Sequence, residues 1–252
     1  MQDSNPKLFD AHLHIIDPAF PVYENQGYFP PAFTVDDYLN ISGDLNIKGG
    51  AIVSGSFQKQ DQSYLIAALE KLGTNYVGVT QLLASVSDEE LLQLNQAGVR
   101  AVRFNLKRGG SESVDKLDHF ARRVFDVVGW HVELYIGAQA LKELNDTLST
   151  LPLVSIDHLG LERESMQTLL QLAEQGVKVK ATGFGRLEFS ASNAIKSLYN
   201  ANPECLMFGT DLPSTRAPRA FQKEDIEIIL NALDDQAASG VLYNNARNFY
   251  FR

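Results

Sequence analysis

Apolar runs of strand length alternate with helix-like segments eight times along this 252-residue chain, and that alternation constrains its fold more than any other feature. The runs are Leu8–His14, Gly50–Gly55, Tyr76–Thr80, Val99–Leu106, His131–Ile136, Leu153–His158, Val177–Gly183 and Leu206–Asp211. Between them apolar residues recur at helical spacing, as in Gln62–Leu72 and in Ser113–Val128, where Leu117, Phe120, Val124 and Val127 share a face. Capping signals bracket these helices: Thr34 before Asp36 and Asp37, Asp61 before Gln62, the capping-box pattern Ser87–Glu90, and stops at Gly73, Gly98, Gly129 and Gly176. Further helices are expected near Thr34–Leu45, Ala138–Leu148, Ser165–Glu174, Ser192–Tyr199 and Lys223–Leu233, with a short last one ending at Tyr250. Strands joined through helices run parallel, and eight units of about thirty residues close into a barrel. The expected fold is therefore α/β, a (β/α)8 TIM barrel, with residues 1–252 forming one domain. An open doubly wound sheet fits less well, because no glycine-rich phosphate turn follows the first strand.

Composition narrows the function. A formal net charge of −9 speaks against nucleic acid and against an anionic membrane surface as partners, since both attract basic faces. Cys205 is the single cysteine, which excludes an internal disulfide and fits a reducing compartment. The opening residues lack a basic segment followed by an apolar core, and no apolar run approaches the roughly 20 residues of a membrane span. A cytoplasmic protein is expected; its oligomeric state is left open.

In a barrel the active site lies at the C-terminal ends of the strands, so polar residues there are the candidates. His12 and His14 end the first strand, His158 the sixth and Asp211 the eighth. On an extended strand Asp10, His12 and His14 share one face, and Phe9, Ala11 and Leu13 the other. Strands one and eight adjoin in a closed barrel, so Asp211 is expected to face the paired histidines. Asp10, one layer deeper, either orients an imidazole or takes a backbone hydrogen bond. His131 begins its strand and His119 lies in a helix, so both read as structural or solvent-facing. Asp157 precedes His158, so strand alternation turns it away from the site, to pair with a neighbouring helix. Lys180 shares a face with Thr182, but which face cannot be fixed. Arg103 shares a face with Asn105, Arg108 follows in the next loop, and Arg186 lies beyond the seventh strand. Guanidinium groups suit carboxylate recognition, so an anionic or polyhydroxylated ligand is expected. The proline- and aromatic-rich segment from Asp17 to Phe33 has the length and position of a lid or pocket wall.

Five motifs in order carry a resemblance: Asp10-Ala11-His12-Leu13-His14, Gly98–Asn105, Ile156–Gly160, Lys180-Ala181-Thr182-Gly183 and Phe208–Pro213. Together with the ending Tyr243–Tyr250 they resemble the amidohydrolase superfamily, in the branch that contains 2-pyrone-4,6-dicarboxylate lactonase and sugar-acid lactonases. The resemblance implies a hydrolase opening a lactone, with Asp211 as general base and His12, His14 and His158 polarising the carbonyl. It implies Arg103 and Arg186, and more loosely Arg108, as holders of substrate carboxylate or hydroxyl groups. Strand four ends without a Lys or Glu to bridge two metals and strand five without a histidine, so a two-metal centre is not expected. One divalent ion such as zinc, held by His12, His14, His158 and Asp211, is chemically reasonable; a centre that needs no metal is favoured over it. Two alternatives stand beside the lactonase: a metal-dependent non-oxidative decarboxylase on the same barrel, and a non-catalytic binder of a small organic acid.

Overall fold

The computed structural model describes residues 5–252; Met1–Ser4, the start of the segment read as carrying no secretory signal, lie outside the described residues. The strands are β1 (Leu8–Leu13), β2 (Ile47–Val53), β3 (Tyr76–Thr80), β4 (Val99–Asn105), β5 (His131–Tyr135), β6 (Val154–Ile156), β7 (Lys178–Ala181) and β8 (Leu206–Phe208). They lie side by side in sequence order, each parallel to the next. Around them pack α1 (Val35–Ser42), α2 (Ser63–Leu72), α3 (Asp88–Gln96), α4 (Leu117–Val128), α5 (Ala138–Glu143), α6 (Asn145–Leu148), α7 (Met166–Glu174), α8 (Ala191–Ala201), α9 (Glu224–Ala232), α10 (Asp235–Ser239) and α11 (Asn245–Tyr250). The expected eightfold barrel is thus the observed one.

Local chemistry accounts for the helix ends. Thr34 and Asp37 form a reciprocal capping box on α1, and the Ser87 hydroxyl accepts from the Glu90 N–H to start α3. Gly129, at φ 71°, closes α4 in the left-handed conformation that residues with a side chain avoid. The helix expected over Ala138–Leu148 is interrupted at Leu144 and forms α5 and α6.

Two apolar layers hold the barrel. Leu8, Leu13, Ile52, Phe104 and Leu134 belong to the layer between strands and helices. Phe9, Ala11, Ala51, Val53, Val79 and Met207 fill the lumen, where Phe249 and Tyr250 of α11 join them. Tyr250 stacks on Phe9 at 5.7 Å and meets His131, at the start of β5, at 5.2 Å, so α11 plugs the N-terminal end of the barrel.

The seam between β8 and β1 positions the site. Asp211 N–H donates to the His12 carbonyl at 2.7 Å, and His14 N–H to the Leu212 carbonyl at 2.8 Å. The buried Asp10 carboxylate ties this seam from beneath, accepting from Thr210 N and Thr210 Oγ1, each at 2.7 Å, and from Tyr38 Oη at 3.1 Å. Of its two expected roles, then, Asp10 takes the backbone one. Burial pushes its carboxyl up to about 6, against the pull of these donors. The approach is close enough that a Cβ on Gly209 would lie 2.7 Å from His12 N. Gly209→Ala is therefore expected to cost about 1–3 kcal/mol, read as a lower urea midpoint; an unchanged midpoint would mean the seam can yield.

One expectation fails on β1. Asp10 pairs with Gly50 and Leu13 with Ile52, so three residues on β1 span two on β2. That extra residue is a β-bulge, and it breaks the two-residue period. Phe9 and Ala11 therefore lie in the lumen rather than on the face of Leu13, and Asp10 meets Tyr38 of α1 while His12 turns inward.

Candidate active site

The seam brings His12 and His14 to Asp211. His12 Nε2 lies 3.9 Å and His14 Nε2 3.6 Å from Asp211 Oδ1. His14 is oriented by its other nitrogen, which sits 2.6 Å from the Val53 carbonyl at the end of β2. His158 arrives from across the barrel, its ring centroid 4.8 Å from that of His12. Its backbone is left-handed, φ 53°, and Leu159 follows at 49°. Gly183 makes room for the ring: a Cβ there would stand 2.6 Å from His158 Nδ1. The four residues expected from three strand ends are thus adjacent.

Asp157 corrects the sequence reading. It does not pair with a helix. Its Oδ2 accepts from Arg103 Nη2 at 2.8 Å, and its Oδ1 lies 3.4 Å from His12 Nδ1 and 3.8 Å from Lys180 Nζ. Strand β6 ends at Ile156, and the left-handed turn at His158 brings consecutive side chains to the same side. Below it, Lys180 is ion-paired with Glu133, whose second oxygen meets His131 Nε2 at 2.9 Å and the Tyr250 hydroxyl. His131 is structural, as expected, and His119 is exposed on α4. Glu133 was not singled out from the sequence and the facing of Lys180 was left open. Both alternate with apolar neighbours, but barrel strands are buried on both faces, so alternation does not say which face is the lumen.

Burial and pairing set the charges. Burial lowers His12 to about 4, although Asp157 pulls the other way, and burial also takes His158 well below the ordinary imidazole value. Both rings are neutral near pH 7. Burial alone would raise Asp211, but the Arg186 guanidinium outweighs it and holds the carboxyl far below the usual range. Burial likewise opposes ionisation of Asp157 and Glu133, yet Arg103 and Lys180 keep the first low and Lys180 brings the second to about 2. The centre therefore holds three ion pairs: Lys180 with Glu133, Arg103 with Asp157, Arg186 with Asp211.

Above these groups opens a chamber of about 40 Å³. It is bordered by Arg103, Arg108, Arg186 and Arg216, with His14, Tyr135 and His158 among the other walls and no carboxylate. Outside it a vestibule of about 530 Å³ shares Arg108, Tyr135, Arg186 and Arg216 with the chamber. Arg186 donates Nε–H to Asp211 Oδ2 at 2.8 Å, with Nη2 ion-paired to the same oxygen at 2.7 Å, whereas Arg108 and Arg216 have no ion-pair partner among the described residues. Arg216 was missed in the sequence because nothing local separates it from surface arginines. It is placed by the Asp17–Phe33 segment: its guanidinium lies 4.5 Å over the Tyr28 ring and bonds to Asn25. Asn25 also accepts from Ser56 Oγ at 3.0 Å and donates to the Arg108 carbonyl at 3.2 Å. That segment braces the loops after β2, β4 and β8 but lines neither the chamber nor the vestibule, so it supports the pocket wall rather than forming it.

Known proteins fit this architecture. A Comamonas testosteroni 2-pyrone-4,6-dicarboxylate hydrolase is 28% identical over 232 residues, covering 81% of this chain and 76% of its own. A 4-sulfomuconolactone hydrolase of Rhizobium radiobacter is 27% identical over 229 residues, covering 81% and 75%. The crystal structure of an Agrobacterium tumefaciens protein in its apo form shares the fold, with a TM-score of 0.85 at 19% identity over 98% of this chain and 97% of that one. Residues 9–252 match the family described as Amidohydrolase, so the chain belongs to the amidohydrolase family.

Proposed function

We propose that this amidohydrolase opens a small anionic lactone by water attack on the ester carbonyl. One observation carries the reading: the partner-free Oδ1 of Asp211 lies beside His12 and His14, with His158 close by, beneath a chamber bordered by four arginines and no carboxylate. The two curated relatives are named for a pyrone dicarboxylate and a sulfomuconolactone, both acidic lactones by name. Arg103, Arg108 and Arg186 would receive the acidic groups of the substrate, as guanidinium forks suit carboxylates.

Asp211, ionised throughout the working range, accepts one proton of the attacking water. His14 donates Nδ1–H to Val53, which holds its ring with Nε2 facing Asp211 and the attacking water. His12 and His158 remain as donors toward the carbonyl oxygen, where negative charge gathers in the tetrahedral intermediate. Collapse breaks the ring C–O bond, and the proton held by Asp211 passes to the leaving oxygen. The balance is lactone plus water to hydroxy acid.

The donor set also suits a single divalent ion. One ligand atom from each of His12, His158 and Asp211 lies within 4.8 Å of the others, and His12 Nε2, His158 Nδ1 and Asp211 Oδ1 have no protein partner. Such an ion, held by these residues with His14 beside them, would supply Lewis-acid polarisation of the carbonyl. Arg186 on Asp211 and Lys180 beside His12 already place positive charge there, so the favoured reading requires no metal. The three-residue donor set is the observation that supports a metal-dependent decarboxylase as the second reading. No helix among the described residues is long and apolar enough to cross a membrane. A cytoplasmic setting accompanies the proposal, from the single cysteine and its burial.

A panel of acidic lactones, assayed on protein stripped of metal with and without chelator, tests both parts together. Hydrolysis that survives the chelator is the expected result. Activity lost to chelator and restored by zinc would make the metal essential. Carbon dioxide release from an aromatic acid, with every lactone untouched, would replace the lactonase by the decarboxylase. A ligand that raises the melting temperature and is recovered unchanged would leave only a binder.

A further inference from the structure

His12 Nδ1 lies between two opposed partners. Asp157 Oδ1, an acceptor, and Lys180 Nζ, a donor, are each 3.4 Å away. The geometry favours the lysine: Lys180 is aligned for a hydrogen bond to Nδ1, while Asp157 Oδ1 receives none. Lys180 is wholly buried on β7 and held by Glu133, which is itself fixed by His131 and Tyr250. The ammonium is thus anchored from the plugged end of the barrel and aimed at the underside of the imidazole.

An imidazole that accepts at Nδ1 carries its proton on Nε2, and Nε2 is the atom turned toward Asp211 and the reacting position. A metal ligand requires the converse, a lone pair on Nε2 with Nδ1–H given to a carboxylate or carbonyl. Asp157 stands ready for that second arrangement.

We propose that Lys180 is a positioning residue that holds His12 in its Nε2–H tautomer, keeping it a hydrogen-bond donor to the substrate carbonyl and disfavouring a divalent ion at His12, His158 and Asp211. The ammonium acts twice, by fixing the tautomer and by adding like charge beside any bound cation. Without it, Asp157 and His12 become the carboxylate–histidine pair that strengthens metal ligation. The proposal rests on reading this centre as hydrolytic, but neither of its measurements needs a substrate, so failure of the lactone panel would not decide it.

The test uses ¹⁵N NMR of the histidine rings and zinc titration against a competing chelator. In the unmodified protein His12 should show a protonated Nε2 and an unprotonated Nδ1. Lys180→Met leaves Glu133 unpaired, so Lys180→Met/Glu133→Gln removes both charges and serves if the single variant fails to fold. In the variant the His12 proton should move to Nδ1 and zinc should bind about 10–100-fold tighter, while Lys180→Arg should retain the original tautomer and weak zinc binding. An Nδ1–H tautomer in the unmodified protein would overturn the proposal, as would zinc affinity unchanged by loss of the ammonium.

Discussion

Asp211→Asn is expected to lower kcat for lactone hydrolysis by about 10²–10⁴-fold, the range a positioned general base contributes. The substitution keeps an oxygen for Arg186, which donates to Oδ2 through Nε, so much of the local geometry should survive. It removes the charge that accepts the water proton. The neighbouring groups cannot replace it: Asp157 is engaged by Arg103 and Glu133 by Lys180, both below the chamber. His12, His14 and His158 stay in place around the reacting position, which is why residual turnover rather than complete loss is expected. Progress curves for the hydroxy acid, together with a cooperative thermal melt to show that the variant is folded, make the comparison. Full turnover by a folded variant would remove Asp211 from the chemistry.

The second large effect falls on stability. Glu133→Leu is expected to cost about 3–5 kcal/mol, the usual result of stranding one member of a buried ion pair, and so to lower Tm by about 6–20 °C. Glu133 and Lys180 are both fully buried, and Leu fills much of the volume, so the loss would be electrostatic rather than a cavity effect. The carboxylate also anchors His131 and the Tyr250 hydroxyl, so its removal loosens the α11 plug. Replacing both ions, as in Lys180→Met/Glu133→Gln, should recover most of the loss because no buried charge is left alone. Calorimetry of the two variants separates the cases. A single variant as stable as the parent would mean that water or another acceptor reaches Lys180.

The same ion pairs explain how an acidic protein keeps an anion-seeking site. The chain carries a net charge of −9, yet the chamber presents four arginines, two of them balanced by Asp157 and Asp211. Arg108 and Arg216 are left over, and they border both the chamber and the vestibule. A low-dielectric wall concentrates their field in the chamber, whose lining has no carboxylate, whereas Glu162, Glu164 and Glu188 stand among the walls of the vestibule.

The eightfold alternation by itself determined the barrel, because each apolar run must pair with the next once a helix returns the chain to the same end. It also determined His12, His14, His158 and Asp211 as candidates, because each stands where an apolar run gives way to a polar turn. Arg103, Arg108 and Arg186 were legible on the same rule. What lies inside the strands was not. The bulge that turns His12 inward, the facing of Lys180 and the ion pair it forms with Glu133 depend on register between strands, and a strand buried on both faces leaves no hydrophobic phase to read. Asp157 was misread for a related reason: the two-residue period stops at Ile156, and only the left-handed turn at His158 shows where the next side chains go. Arg216 depended on a partner nearly two hundred positions away, the Asn25–Tyr28 turn, which local sequence does not connect to it. The chain order thus selected the architecture and the rim, while long-range packing alone decided which charges meet beneath it.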